Sequence, residues 1–133
     1  MIRNGFSLFE MLIALSIMAL LGSFVIPNIK KIQNKSYSIA SEVNLKTFQS
    51  SLENYYLDNS NYPLGSINSS ELFTILKNYN IMKTSPINPY YKKAYSSTDS
   101  KGKILYSSSD GEEYAITLYD MTGLAIQLEL NSL

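Results

Sequence analysis

Neither cysteine nor histidine occurs among the 133 residues. Without thiols there is no disulfide framework, thiolate metal site or thiol nucleophile, and without imidazole the commonest general base and metal ligand are gone. A charge of one sign is missing too, since 11 Lys and Arg balance 11 Asp and Glu. No global field therefore draws the chain to nucleic acid, an acidic substrate or an anionic surface. Most catalytic constellations are excluded, so the sequence is expected to encode no enzyme, to need no cofactor and to bind no nucleic acid directly. The length suits one domain with an appendage.

What is present is unevenly placed. From Met11 to Ile26 the chain reads MLIALSIMALLGSFVI without a charge, and extending the stretch back to Phe6 adds only Glu10. A helix from Phe6 to Ile26 would rise about 31 Å, matching a hydrocarbon core of about 30 Å. Arg3 precedes it and Lys30 and Lys31 follow it, so flanking charge orients it poorly. A cleaved secretory signal is the ordinary reading of such a run, but the best small-residue triplet, within Ala19-Leu20-Leu21-Gly22, is spoiled by Leu21. Glu10 is the second departure. A carboxylate in a spanning helix costs about 2.5–3.5 kcal/mol at the helix centre and less near its end, so it wants a partner.

A cut between Gly5 and Phe6 would supply one. It would keep the apolar segment, free an amine on Phe6, and leave Glu10 one helical turn behind. A positive terminus at the positive end of a helix dipole is itself unfavourable. In staggered copies the amine of one chain can meet Glu10 of the next, gaining about 4 kcal/mol at 4 Å and a dielectric near 20, before desolvation.

The run Arg3-Asn4-Gly5-Phe6-Ser7-Leu8-Phe9-Glu10, the apolar stretch after it and Pro27 resemble the leader and anchor of type IV prepilins and type II secretion pseudopilins. The resemblance implies a leader over residues 1–5, cleavage after Gly5 and N-methylation of Phe6 by prepilin peptidase. It further implies assembly guided by Glu10, and a helix kink at Pro27. Phe9 stands where the family usually has Leu, Ile or Val, a change that keeps bulk and apolarity.

Between Pro27 and Pro63 there is no proline or glycine, and the periodicity predicts helix. At 100° per residue, Ile29, Ile32, Ile39, Ala40 and Val43 share an arc of about 100°. Leu45, Phe48, Leu52, Tyr55 and Tyr56 share a second arc about 160° round from it. Lys31, Lys35, Glu42, Lys46 and Glu53 keep to a polar strip, with Glu42 and Lys46 spaced as an i,i+4 pair. Because the apolar face changes sides, the first half is expected to face other subunits and the second its own domain.

Asp58 to Gly65 is turn chemistry that ends the helix. Residues 70–79 read as a short helix with Leu72, Ile75 and Leu76 on one face and Ser69 or Ser70 as N-cap. Pro86 and Pro89 predict irregular loop. Three period-two strands follow across 103–130: Lys103–Ser108, Glu113–Tyr119 and Leu124–Leu130, the last with Leu124, Ile126, Leu128 and Leu130 on one face. The stretches YYLDNSNYP and Asn88-Pro89-Tyr90-Tyr91 also resemble pseudopilin segments. The fold expected is α+β and pilin-like: a long helix over 6–57, its part 6–26 spanning a membrane, packed on a small antiparallel sheet in a head of residues 58–133.

Asp99, Asp110, Glu112, Glu113 and Asp120 are the acidic candidates for a hard cation. Ser107-Ser108-Ser109-Asp110-Gly111 resembles the calcium loop of major pseudopilins only in part, and a lone Asp-Gly turn is usually a hairpin, so Asp110 and Asp120 are weak calcium candidates. The functional expectation is a filament subunit in a secretion pseudopilus or type IV pilus-like fibre. Its partners would be identical or homologous pilin subunits, prepilin peptidase, an inner-membrane assembly platform and the membrane. It would start as a single-pass inner-membrane precursor and end in a periplasmic or surface filament. The alternatives are a competence pilin for DNA uptake and a membrane-tethered binding domain that does not polymerise.

Overall fold

A computed structural model describes residues 6–132. Two units are distinguished, Met1–Lys35 and Ser36–Leu133. Helix α1 (Leu8–Asn59) supplies the described helix of the first and opens the second. After it come β1 (Gly65–Asn68), α2 (Ser69–Asn78), β2 (Ile87–Asn88), β3 (Lys93–Ala94), β4 (Ile104–Ser108), β5 (Ala115–Tyr119) and β6 (Ile126–Asn131). The α+β architecture read from the sequence, a long N-terminal helix and a small antiparallel sheet packed on it, is the one observed.

In the second unit the sheet runs β1-β4-β5-β6, every pairing antiparallel. Its inner face carries Ile104, Tyr106, Tyr114, Ile116 and Leu118, all buried. The second stripe of α1 covers that face: Leu45, Phe48 and Leu52 are fully buried and Tyr55 nearly so. Leu72 and Leu76 of α2, with Tyr62, Met82 and Tyr95 from the connections, complete the core. Period-two burial in β4 and β5 meets helical periodicity in α1, the combination that lets a sheet face and a helix stripe exclude water together.

Four details differ from the sequence reading. Strand β1 begins at the last residue of the expected turn and runs on where no element was expected, because Gly65 to Asn68 pair with Ser108 to Leu105 rather than burying an apolar face of their own. The N-cap of α2 is Asn68, not Ser69 or Ser70. Its Oδ1 accepts the N–H groups of Ser70 at 2.9 Å and Glu71 at 3.1 Å, while Glu71 reaches back to the Asn68 N–H. The segment between Pro86 and Lys93 is not wholly irregular, since Ile87 and Asn88 pair with Ala94 and Lys93. A two-residue edge ribbon tolerates flanking proline because only a few N–H groups are used. Finally, β6 begins at Ile126: Leu124 is 87% exposed, in the turn made by Asp120 and Gly123. A register shift at Leu118/Tyr119 accompanies this late start.

Polar contacts also tie α1 to the rest of this unit. Glu53 accepts the hydroxyl of Tyr62 on one carboxylate oxygen at 2.9 Å and that of Tyr114 on the other at 2.8 Å. Gln127 donates to Ser38 Oγ at 2.5 Å and Glu42 Oε1 at 2.7 Å. Asn88, fully buried, donates to Asp99 at 2.9 Å and the Lys101 carbonyl at 3.0 Å, and accepts the Tyr90 N–H at 3.1 Å.

Candidate functional site: the N-terminal segment

The first unit holds most of the residues singled out for processing and assembly. Gly5 lies outside the described residues. Phe6, beside the expected cut, is 81% exposed and precedes the helix. Ser7 is the N-cap of α1. Its carbonyl accepts the first intrahelical bond from Met11 N–H at 3.2 Å, and its hydroxyl accepts the Phe9 N–H at 3.3 Å. Glu10 stands at N3, and its Oε2 accepts the Ser7 N–H at 3.0 Å. Ser7-Leu8-Phe9-Glu10 is thus a capping box in spacing and in its carboxylate half.

This role for Glu10 was missed in the sequence reading, although Ser-x-x-Glu before an apolar run signals it. It alters the chemistry of the residue. A negative side chain in the first turn of a helix complements the dipole, so Glu10 has a favourable local setting before any neighbour arrives. Yet an ionised carboxylate offers about four lone-pair sites, and one N–H occupies one of them. The carboxylate keeps acceptor capacity for a cation approaching from outside.

Beyond Glu10 the helix is long and apolar enough to cross a membrane, and its apolar stretch is not buried. Its hydroxyls are satisfied locally: Ser16 donates to the Leu12 carbonyl at 2.8 Å and Ser23 to the Leu20 carbonyl at 2.7 Å. Pro27 lies within α1, which remains helical across it. It brings no N–H for the carbonyl four residues back, and next to it Asn28 donates its side-chain amide to the Phe24 carbonyl at 3.1 Å. Ile29 and Ile32, from the first apolar stripe, are exposed in this unit, as are Ile39 and Val43 in the other.

The acidic candidates of the head close turns. Asp110 Oδ1 accepts the N–H groups of Glu112 at 3.0 Å and Glu113 at 3.3 Å, bonds that lower its pKa. Asp120 Oδ1 accepts from Thr122 Oγ1 at 2.6 Å, Thr122 N–H at 2.9 Å and Gly123 N–H at 3.0 Å, and its pKa is lowered chiefly by the Thr122 side chain. Asp99 is held by Asn88 and the Ser96 N–H. Among the described residues no group of three or more carboxylates gathers where a metal ion could sit.

The N-terminal features have counterparts in known proteins. Residues 1–26 match the family described as "Prokaryotic N-terminal methylation motif". The chain is 34% identical over 61 residues to the "Type II secretion system core protein G" of Klebsiella michiganensis, a match covering 46% of this chain and 43% of that relative. No solved structure matches. The motif and this partial relative support a resemblance to the type IV prepilin and pseudopilin family.

Proposed function

We propose that this chain is a structural subunit of a type II secretion pseudopilus, made as a membrane-anchored precursor and polymerised through its N-terminal helix. The family is one of non-enzymatic filament subunits, and the relatedness to core protein G turns the reading toward the secretion apparatus rather than a motile or DNA-uptake fibre. The observation that carries it is the methylation motif over residues 1–26, running into a helix whose apolar stretch is uncovered.

In this reading prepilin peptidase hydrolyses the Gly5–Phe6 bond and methylates the Phe6 amine, and the assembly platform draws the helix out of the membrane. Glu10 first caps its own helix through the Ser7 N–H and then also receives the Phe6 amine of a neighbouring copy. N-terminal sequencing and intact mass of the mature chain test the processing step. A methylated Phe6 terminus is the expected result, and a mature chain beginning elsewhere refutes the reading. Replacing Gly5 with a bulky residue should leave an uncut protein in the membrane. Glu10→Gln should be cut normally but yield few filaments, and undiminished filament recovery would remove Glu10 from assembly.

A further inference from the structure

Zero net charge conceals a strong segregation of sign. Segments 47–76 and 104–133 contain no Lys or Arg at all. The fold gathers parts of these segments at one end of the head. There the Tyr62 N–H bonds the Gly111 carbonyl at 2.8 Å, Leu64 lies against Gly111, and Glu53 holds Tyr62 and Tyr114. Asp58, Asp110, Glu112 and Glu113 are exposed at that end, around the exposed side chains of Leu57 and Leu64.

The other end is built on an earlier part of α1. Ser41 lies against Gly102, Asn44 donates to the Ile87 carbonyl at 2.8 Å, and Tyr37 packs edge-on against Tyr90 with ring centres 5.5 Å apart. Lys92, Lys93 and Lys101 are exposed there and Lys103 is half-buried, with Ile87 exposed beside them. The ammonium groups of Lys93 and Lys103 lie over the rings of Tyr91 and Tyr119, at 5.9 and 4.3 Å. Three acids share this end, all half-buried and bonded to neutral donors: Asp99 to Asn88, Asp120 within its own turn, and Glu42 to Gln127.

Ser41 and Glu53 are separated by about 18 Å of helix. That exceeds the screening length of about 8 Å at physiological salt, so the two ends do not neutralise each other within one head. The first end exposes carboxylates in segments without Lys or Arg, the second exposes Lys92, Lys93 and Lys101 in front of its half-buried acids, and the two exposed sets are complementary to each other rather than to themselves. A self-complementary, two-fold contact would oppose like charges; a contact of one end with the other end of a second copy pairs unlike ones and does not close.

We propose that the acidic end of one head docks on the lysine end of the head of the next copy, a heterologous contact that sets the register between heads. It deepens the filament-subunit reading, on which it rests for its biological setting, and adds a surface distinct from the N-terminal helix. Because the chain has no cysteine, the contact can be trapped selectively. In the full-length chain carrying Leu64→Cys and Ile87→Cys, oxidation in intact cells should give a ladder of covalent multimers. Either single variant should give no more than dimers.

Charge reversal decides the cause. In the two-cysteine background, Lys92→Glu with Lys93→Glu should cut the ladder by about tenfold or more, as should Glu112→Lys with Glu113→Lys. All four reversals in one chain should restore it. Absence of the ladder in chains that pellet as processed filaments would overturn the head contact and leave the filament reading standing. An unchanged ladder under both reversals would overturn the electrostatic assignment. A ladder without processed filaments would support the contact and refute the filament reading, and absence of both would refute both. A ladder that appears only when a homologous subunit is co-produced would reassign the partner and overturn the proposal of identical copies.

Discussion

Glu53 serves two phenols with one carboxylate, and this small arrangement fixes where α1 meets the turn that follows it and the start of β5. Glu53→Gln keeps the size but converts one acceptor into a donor, so one tyrosine hydroxyl loses its partner. A loss of about 1.5–3 kcal/mol is expected in denaturant unfolding of the protein, with filament processing unaffected. Nothing in the sequence announced this pairing: Tyr114 lies 61 residues from Glu53, and a glutamate on a polar strip reads as solvated. The Ser7–Glu10 cap is the opposite case, local in spacing and therefore legible. Gly102 adds a steric constraint. Its φ is +60°, and a Cβ there would fall 2.7 Å from the Tyr90 ring. Gly102→Ala should therefore lower the melting temperature of the head, and an unchanged melting temperature would show that Tyr90 can move aside.

At the scale of elements, the two stripes of α1 were legible because both follow helical periodicity without glycine or proline to interrupt them. The second is the helix's contribution to the core, and Phe48→Ala should cost about 3–5 kcal/mol, measured by chemical denaturation. The N-cap of α2 is worth less: Asn68→Ala should cost about 1 kcal/mol. Strands β4 and β5 showed themselves through alternation. Strand β1 did not, because Gly-Ser-Ile-Asn has little pattern of its own and becomes a strand only by pairing with β4. The limits of β6 slipped because Leu124 continues the apolar alternation in sequence, whereas the Asp120 turn takes it out of the ladder.

Across the whole second unit, tyrosines form a connected series. Tyr56, Tyr62, Tyr114 and Tyr106 follow one another with ring centres 4.7, 4.6 and 5.8 Å apart, and Tyr55 packs on Tyr79 at 4.7 Å. Burial, first of all, raises the phenol pKa values: those of Tyr55 and Tyr106 are pushed up to about 12, and those of Tyr62 and Tyr114 rise further through Glu53. A raised folded pKa means that the native state holds its protons more firmly than the unfolded chain. The associated stability is complete below the ordinary tyrosine value of 10.0 and falls as pH climbs from there through about 12. Circular dichroism should show the head intact at pH 9 and losing stability steadily above pH 10. A flat profile to pH 12 would mean these rings titrate as if exposed.

The inward-turned hydroxyls of Ser16 and Ser23 bear on how such a rod travels. Polar atoms already answered by their own backbone ask nothing of lipid and nothing of a protein neighbour. Moving that stretch from a bilayer into a bundle of sister helices exchanges one set of dispersion contacts for another. Under the proposed assembly, Glu10 is the charged group whose surroundings would have to be renegotiated on the way out.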